Sequence, residues 1–349
     1  MSAIKILDGG LGTSLEDEYG VQFDPSMPLW SSHFLVADPD LLLRCQRDFG
    51  DAGVDVILTP TYQVSREGFS RTKTPDFPGG IRTDEEIRPF LSKAIEIAEG
   101  AKGREAAEIA LSLGPYGATM LPGQEYSGAY DAAHDSEEAL YEWHLARLRL
   151  FTGISGAMER VGYVAFETIP RVDEIRAVRR AAHDAGLSGK KVWVSCVFPG
   201  ENDALPDGTS VAGVVDAALG SLAHGVDLWG LGINCTKIQR IPKLLGQFER
   251  AVADVASAGR LQRIPALVLY PDGTNGEVYN TATQKWEMPE ERNKHESEGT
   301  ATDWETQLAK IVVESKARGV FTSFLVGGCC KASHRHIKNL RLQLTGDRL

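Results

Sequence analysis

The sequence predicts an α/β protein, a single-domain (β/α)8 TIM barrel that spans residues 1–349. The main observation is that eight short apolar or β-branched runs alternate with eight longer amphipathic stretches. The short runs lack polar alternation, so we expect a parallel sheet that is buried on both faces. No Ser/Pro-rich hinge or change of composition divides the chain, which favours one domain over a doubly wound sheet with an added domain.

The eight predicted strands are too short and apolar for surface helices. They cover residues 4–7, 54–58, 109–113, 163–167, 191–197, 226–233, 266–270 and 320–326. The eight predicted helices cover residues 40–51, 84–101, 136–160, 172–185, 210–224, 238–256, 303–318 and 333–344. Ser136, Ser210 and Asp303 are expected to cap helix starts, because their side-chain oxygens accept bonds from free backbone N–H groups.

Composition and charge narrow the class of partner. The chain has 37 Lys and Arg against 48 Asp and Glu, a net charge of −11, which argues against nucleic acid or an anionic membrane as partner. Small-molecule substrates are favoured. The first residues do not resemble a signal peptide, and the sequence lacks a run of about 18 apolar residues that would span a membrane. We therefore expect a cytoplasmic protein.

Chemically unusual residues follow nearly every predicted strand. In a parallel barrel the carboxyl ends of the strands meet at one mouth, where catalytic groups collect. Seven of the strands run into the segments DGGLGT, TPTYQ, GPYG, ETIP, NCT, YPD and GGCC, in that order. The sequence therefore predicts one active site built from these segments.

Three cysteines follow the sixth and eighth predicted strands. Cys235 and the adjacent Cys329 and Cys330 would meet at the mouth, and three protein ligands with a fourth position open are typical of a catalytic zinc site. The total of five cysteines is odd and fits neither a disulfide framework nor a CxxC motif. Cys45 and Cys196 are expected to be structural, and from placement alone the other three remain open between structural thiols and a Zn²⁺ site.

Glu167 ends an apolar strand, where a buried carboxylate needs a partner. A substrate ammonium group would serve, and a structural Arg or Lys is the alternative. Asp8, Gly9 and Gly10 open a loop whose backbone N–H groups could bind a substrate carboxylate, although the same residues suit an ordinary turn. The loop lacks the GxGxxG spacing of dinucleotide-binding proteins, and we expect no helix directly after it.

The segments LDGGLGT, ETIP, GINC and GGCC, in this order, resemble the homocysteine S-methyltransferase family, from residue 6 to about residue 338. GINC combined with GGCC is the specific part of the match. TPTYQ, GPYGA and EYSGAY are most similar to the branch that uses S-methylmethionine or S-adenosylmethionine, and the chain does not continue into the long C-terminal extension of the betaine-using branch. Pro60 and the long YPDGTNGE segment depart from the family pattern.

The resemblance implies the roles of individual residues. Cys235, Cys329 and Cys330 would bind zinc, and Glu167 would bind the amino group of homocysteine. Asp8 and Tyr62 would complete the catalytic set. The remaining candidates for substrate binding are Gly9, Gly10, Thr13, Thr168, Asn234, Tyr116 and Tyr126.

The function implied is zinc-dependent transfer of a methyl group from a sulfonium donor to homocysteine, which forms methionine. Tyr62, Tyr116, Tyr126 and Tyr130 could surround the sulfonium, with ordinary packing as the alternative for each. Open alternatives are betaine as donor, selenocysteine as acceptor, a metal-free lyase or isomerase with Glu167 as base, and a zinc-binding or redox-sensing protein without catalysis. His334 and His336 are not convincing fourth ligands. The oligomeric state and the role of residues 271–302 are left open.

Overall fold

A computed structural model describes residues 3–274, 277–280, 285–287 and 303–346. In these residues eight parallel strands form one sheet, hydrogen-bonded in the order β1-β10-β7-β6-β5-β4-β3-β2. The isolated parallel bridge between Leu7 and Val56 joins the two outer strands and closes the barrel. The strands are β1 (Ala3–Ile6), β2 (Val56–Leu58), β3 (Glu108–Leu113), β4 (Tyr163–Ile169), β5 (Lys191–Cys196), β6 (Gly230–Lys237), β7 (Ala266–Asp272) and β10 (Ser323–Val326). The predicted (β/α)8 barrel is confirmed.

Helices follow the strands and cover the outside of the sheet. The helices are α1 (Leu11–Tyr19), α2 (Phe34–Ala37), α3 (Pro39–Asp51), α4 (Arg66–Arg71), α5 (Asp84–Gly100), α6 (Glu137–Thr152), α7 (Val172–Asp184), α8 (Val211–Leu219), α9 (Ile241–Ser257), α10 (Trp304–Arg318) and α11 (His334–Thr345). Each of the eight predicted helices has a counterpart. The expectation that no helix follows the glycine loop is wrong, because α1 begins directly after Gly10.

The helix starts test the predicted caps. Ser136 accepts a bond from the Ala139 N–H at 3.2 Å and Ser210 one from the Gly213 N–H at 3.3 Å, as expected. The side chain of Asp303 makes no such bond, so that prediction is wrong. There the Asp303 carbonyl accepts bonds from Thr306 N and Gln307 N instead.

The core has two layers. The larger one fills the space between the strands and the surrounding helices. A smaller cluster inside the barrel contains Val56, Tyr163, Trp193 and Leu325 among its buried residues. These bulky side chains fill the interior, so the functional residues collect at the carboxyl-end mouth above them.

Part of the long segment after β7 is described. It forms an antiparallel hairpin of β8 (Val278–Asn280) and β9 (Lys285–Glu287), and residues 288–302 lie outside the described residues. Trp286 of β9 lines the cavity at the barrel mouth. None of the described helices is long and apolar enough to cross a membrane. The cytoplasmic location and the extent of the single domain remain predictions.

Candidate active site and metal centre

The carboxyl ends of the strands surround a cavity of about 160 Å³. Asp8 follows β1, Ser112 lies near the end of β3, Glu167 lies in β4 and Tyr270 in β7, and all line this space. Gly9, Gly10, Thr13, Tyr62, Tyr126, Thr168, Asn234, Cys235, Cys329 and Cys330 line it as well. The barrel therefore brings most of the sequence-predicted site residues to one place.

Three thiols and one carboxylate form a cluster at the wall of the cavity. Ligand atoms of Cys235, Asp272, Cys329 and Cys330 all lie within 4.8 Å of one another. The Sγ atoms of Cys235 and Cys329 are in disulfide contact, and the Sγ of Cys330 lies 4.0 Å from that of Cys329. The pairing of two thiols inside the cluster was not predicted from the sequence.

Left-handed backbone conformations set the directions of two side chains of the site. Thr168 has φ +59° and Cys235 has φ +45°, values that non-glycine residues rarely adopt and that cluster at functional sites. The β4–β5 pairing shifts register between Phe166 and Ile169. A second shift in the β6–β7 pairing falls between Asn234 and Lys237. Irregularities of this kind re-aim side chains next to active sites.

The amide of Asn234 joins the ends of β4 and β6. Its Oδ1 accepts a bond from Thr168 N at 2.8 Å, and its Nδ2 donates to Thr168 Oγ1 at 2.8 Å. Nδ2 of Asn234 also lies 3.3 Å from the Sγ of Cys235, and Thr168 Oγ1 donates to that sulfur at 3.5 Å. Asn234 and Thr168 therefore hold the thiol of Cys235 in place.

Close backbone packing positions the two adjacent cysteines. A Cβ atom at Gly327 would lie 2.5 Å from the Asp8 carbonyl oxygen, so a side chain does not fit there. The Cys329 N–H donates to the Pro271 carbonyl at 2.9 Å, and the Gly273 N–H donates to the Cys330 carbonyl at 2.7 Å. These bonds tie the cysteine loop to the end of β7, which carries Asp272.

The cluster has the chemistry of a metal site. Asp272 is 8% exposed, and within the described residues its Oδ1 has no hydrogen-bond partner. Burial raises the pKa of Asp272 to about 7 and also raises the pKa of the Cys330 thiol. Deprotonation of such buried groups needs a nearby cation, and thiolates with one carboxylate suit Zn²⁺. These residues therefore fit a bound metal ion.

Two further buried carboxylates lie next to the cluster. Glu167 accepts a bond from the hydroxyl of Ser112, and burial raises its pKa to about 7. Asp8 accepts a bond from Leu58 N at 2.8 Å through Oδ2, and its Oδ1 has no partner among the described residues. Burial and the nearby Glu167 raise the pKa of Asp8. The structural Arg or Lys partner considered for Glu167 is not among the described residues that line the cavity.

One backbone amide of the glycine loop is already bonded within the protein, and substrate binding by the loop stays a prediction. The Gly10 N–H donates to the Ala332 carbonyl at 3.0 Å, so it is not free to bind a substrate carboxylate. Thr13 Oγ1 accepts a bond from Lys331 N at 2.8 Å and lies 3.2 Å from the Gly10 carbonyl. The loop therefore packs against the cysteine segment, and its close approach explains the need for glycine at position 10.

The four tyrosines separate into two pairs. Tyr62 and Tyr126 line the cavity and are half-buried. Tyr116 and Tyr130 do not line it, so the prediction that Tyr116 contacts the substrate is not supported by its position. The Tyr116 hydroxyl bonds Asp131 and its ring stacks on His134 at 4.0 Å. Tyr116 anchors the loop that carries Tyr126, which is the packing alternative.

Sequence reasoning missed several residues of the site. The sequence places Asp272 in the predicted active-site segment YPD without giving it a role, Glu125 only in a segment that carries the resemblance, and Trp30 in neither. Trp30 lines the cavity and has φ +45°. A carboxylate directly after the apolar run of β7 was the available signal for Asp272. No comparable signal marks Trp30, because its loop precedes the second strand by many residues.

Comparison with known proteins agrees with this geometry. A model of the family described as homocysteine S-methyltransferase matches residues 5–344. Homocysteine S-methyltransferase 1 of Brassica oleracea var. italica is 28% identical over 97% of this chain and 93% of its own length. Homocysteine S-methyltransferase of Escherichia coli (strain K12) is 29% identical, with coverage of 97% and 94%. Betaine-homocysteine S-methyltransferase of Drosophila melanogaster is also 29% identical, with coverage of 97% and 93%.

Solved structures support the fold. The metallated form of the homocysteine methyltransferase MmuM from Escherichia coli superposes with a TM-score of 0.69 at 24% identity. The alignment covers 97% of this chain and 96% of that protein. The oxidized form of the same protein gives a TM-score of 0.69 at 25% identity.

Proposed function

The chain belongs to the homocysteine S-methyltransferase family, and from this premise we propose that it transfers a methyl group from a sulfonium donor to homocysteine with the help of Zn²⁺. S-Methylmethionine or S-adenosylmethionine is the proposed donor, and methionine is the proposed product. The family establishes the acceptor and the reaction class. The metal and the donor are our inference.

One observation carries the proposal. Three thiols and the Asp272 carboxylate lie together at the barrel mouth, next to the buried carboxylates of Asp8 and Glu167. No Lys, Arg or His is among the described residues that line the cavity. Acidic groups without a basic residue beside them are suited to bind cations, here a metal ion, an ammonium group and a sulfonium.

Cys235, Cys329 and Cys330 are the proposed zinc ligands, which requires Cys235 and Cys329 to be in the reduced, unpaired form. Zinc bound there supplies a Lewis acid that keeps a thiol deprotonated at neutral pH, which matters because the thiolate is the reactive form. Asn234 and Thr168 orient Cys235, and the backbone bonds to β7 orient Cys329 and Cys330.

Glu167 and Asp8 are proposed to bind the ammonium group of homocysteine. Two carboxylates around one ammonium satisfy the buried charges and fix the amino acid, which places its sulfur toward the cysteines. As the bond from the donor sulfur to the methyl carbon breaks, the carbon bonds to the homocysteine sulfur. The electron pair stays on the donor sulfur, which leaves as a neutral thioether. The ring faces of Tyr62 and Tyr126 are proposed to stabilise the sulfonium.

The proposal is tested by metal analysis combined with a donor comparison. Purified protein is expected to contain zinc, and protein stripped by a chelator is expected to regain methionine formation when zinc is restored. S-Methylmethionine, S-adenosylmethionine and betaine are each supplied with homocysteine, and methionine is measured. Transfer from betaine alone would refute the sulfonium donor, and full activity without any metal would refute the zinc-dependent reaction.

Cys330→Ala tests the metal site itself. The variant is expected to lose bound zinc and at least about 10³-fold in activity with every donor, because removal of the only means of forming the thiolate costs several kcal/mol of barrier. Cys45→Ala is the control, since Cys45 is a buried thiol in α3 that lies outside the cluster. It is expected to keep its zinc. A Cys330→Ala protein that retains both zinc and activity would contradict the assignment.

A further inference from the structure

Glu125 is a buried acid of the cavity without a function so far. It is 8% exposed and lines the cavity, and its Oε2 has no hydrogen-bond partner in the part of the chain that the structure describes. The carboxylate folds back over the neighbouring backbone, since a Cβ atom at Gly123 would lie 2.5 Å from Oε2. An unpaired carboxylate in such a place is costly unless a ligand supplies a cation.

The other buried acids at the barrel mouth are already matched to a partner. Asp272 lies with the three thiols, and Asp8 and Glu167 lie close enough to raise the pKa of Asp8. Glu125 belongs to neither group. The charge of Glu125 raises the pKa values of the cavity tyrosines Tyr62 and Tyr126 and that of the Cys330 thiol.

We infer that Glu125 binds the α-ammonium group of the methyl donor, and that the protein therefore selects sulfonium donors that are amino acids over donors without an amino group. This inference rests on the proposed function, because it names a contact of the proposed donor. The donor carries two positive charges, and the cavity offers tyrosine rings for one and this carboxylate for the other.

The two positive charges of the donor behave differently during methyl transfer, and this difference indicates which of them Glu125 binds. The sulfonium loses its charge during transfer, so a carboxylate beside it would stabilise the donor more than the transition state and would slow the reaction. The α-ammonium keeps its charge throughout, so a carboxylate there stabilises the donor and the transition state equally. Aromatic ring faces stabilise a sulfonium more weakly than a carboxylate does. They therefore suit the sulfonium better, because less stabilisation is lost when its charge disappears during transfer.

Calorimetric titration without homocysteine measures the contact directly, because no transfer occurs. Zinc-loaded wild-type protein and the Glu125→Gln variant are each titrated with S-methylmethionine and with dimethylsulfonioacetate, a sulfonium that has a carboxylate but no amino group. For S-methylmethionine the Kd is expected to rise about 10- to 100-fold in the variant, as for loss of a charged hydrogen bond. For dimethylsulfonioacetate the Kd is expected to stay within about 3-fold.

Asp24→Asn is the matched control. Asp24 also lines the cavity, but it is exposed and accepts a bond from Ser26 N at 2.7 Å, so its loss is expected to leave both Kd values unchanged. Thermal unfolding of each variant shows that the fold is kept.

Equal weakening of both ligands by Glu125→Gln would overturn the inference, because it would indicate a sulfonium contact or a damaged loop. Unchanged binding of S-methylmethionine, or its failure to bind the wild-type protein, would overturn it as well. Failure of the proposed function is distinguishable: the Kd of S-methylmethionine would still depend on Glu125, while no donor would methylate homocysteine.

Discussion

Asp272 places a carboxylate against three thiols at the end of β7. The Trp304 Nε1–H donates to the Asp272 carbonyl at 2.8 Å, and the next residue bonds to Cys330, so the backbone around the carboxylate is held on both sides. A fixed carboxylate within 4.8 Å of three sulfurs is suited to be a metal ligand in the substrate-free protein.

Asp272→Asn tests this role. The amide keeps the shape of the side chain but removes its charge, so the affinity for zinc is expected to fall at least about 10-fold. Competition with a chromophoric chelator measures the affinity. Asp216→Asn, which changes an exposed carboxylate that pairs with Arg260, is expected to leave it unchanged. Equal zinc affinities for wild-type protein and Asp272→Asn would show that the carboxylate is not a ligand.

Single residues differ in how far the sequence predicts them. Cys235 and Glu167 come directly after apolar runs, and the rule that parallel strand ends meet at one mouth is enough to place them. Tyr116 follows a strand in the same way but does not line the cavity, because its hydroxyl bonds Asp131 of the following loop and its ring packs against Trp143 of α6. The hydrophobic pattern of the sequence predicts where a residue lies along the chain. It does not predict the direction of a side chain in a loop.

Strand β6 passes unusually close to β7. A Cβ atom at Gly232 would lie 1.7 Å from the Val268 carbonyl oxygen, so no side chain fits without displacing the backbone. Two residues later the same strand carries Asn234 and Cys235 into the site. The close approach therefore sets the position of the thiol.

Gly232→Ala is expected to destabilise the protein by about 3 kcal/mol or more, as overpacking against rigid backbone does. Gly246→Ala in α9 is the matched control, since a Cβ there meets nothing within 4 Å. That change is expected to be neutral or to stabilise by up to about 1 kcal/mol, because alanine favours helix. Denaturant unfolding measures both, and equal stabilities of the two variants would contradict the steric argument.

Strands and helices with a clear hydrophobic pattern are predicted from the sequence. The strands were found because each is apolar on both faces, but β4, β6 and β7 run further than predicted, to Ile169, Lys237 and Asp272. Most of their extra residues are polar, and the pairing there follows a shift of register, which an apolar run does not indicate. Helices α1, α2 and α4 are not predicted because they have only 9, 4 and 6 residues, too few to show a clear period.

The acidic cavity lowers the free energy of unfolding of the whole protein when no ligand is bound. Burial raises the pKa values of Glu125 and Glu167 from 4.5 to about 7, so the folded protein holds protons that the unfolded chain releases between these pH values. Because the folded state binds more protons there, stability falls as the pH rises through this window.

The double variant Glu125→Gln/Glu167→Gln isolates this effect. Both proteins are compared without metal or substrate. The free energy of unfolding of the variant minus that of wild type is expected to grow from pH 5 to pH 7, by on the order of 1 kcal/mol per replaced carboxyl group and pH unit. Buried His144, whose pKa is lowered to about 4, changes stability in the opposite direction but is common to both proteins. Thermal unfolding across this range provides the measurement, and a constant difference would mean that the carboxyls do not titrate there.

The order of the strands has a consequence for biosynthesis. Strand β1 is made first, yet one of its two neighbours is β10, whose residues pair with it from Ala3 and Ser323 to Ile6 and Val326. Ribosomes add about 5 to 20 residues per second, so the first strand waits on the order of 15 to 60 s for this neighbour. Cys329 and Cys330 emerge later still. A nascent chain therefore carries an open sheet edge and an incomplete thiol cluster until translation is nearly finished, and the proposed metal ion would bind only after that point.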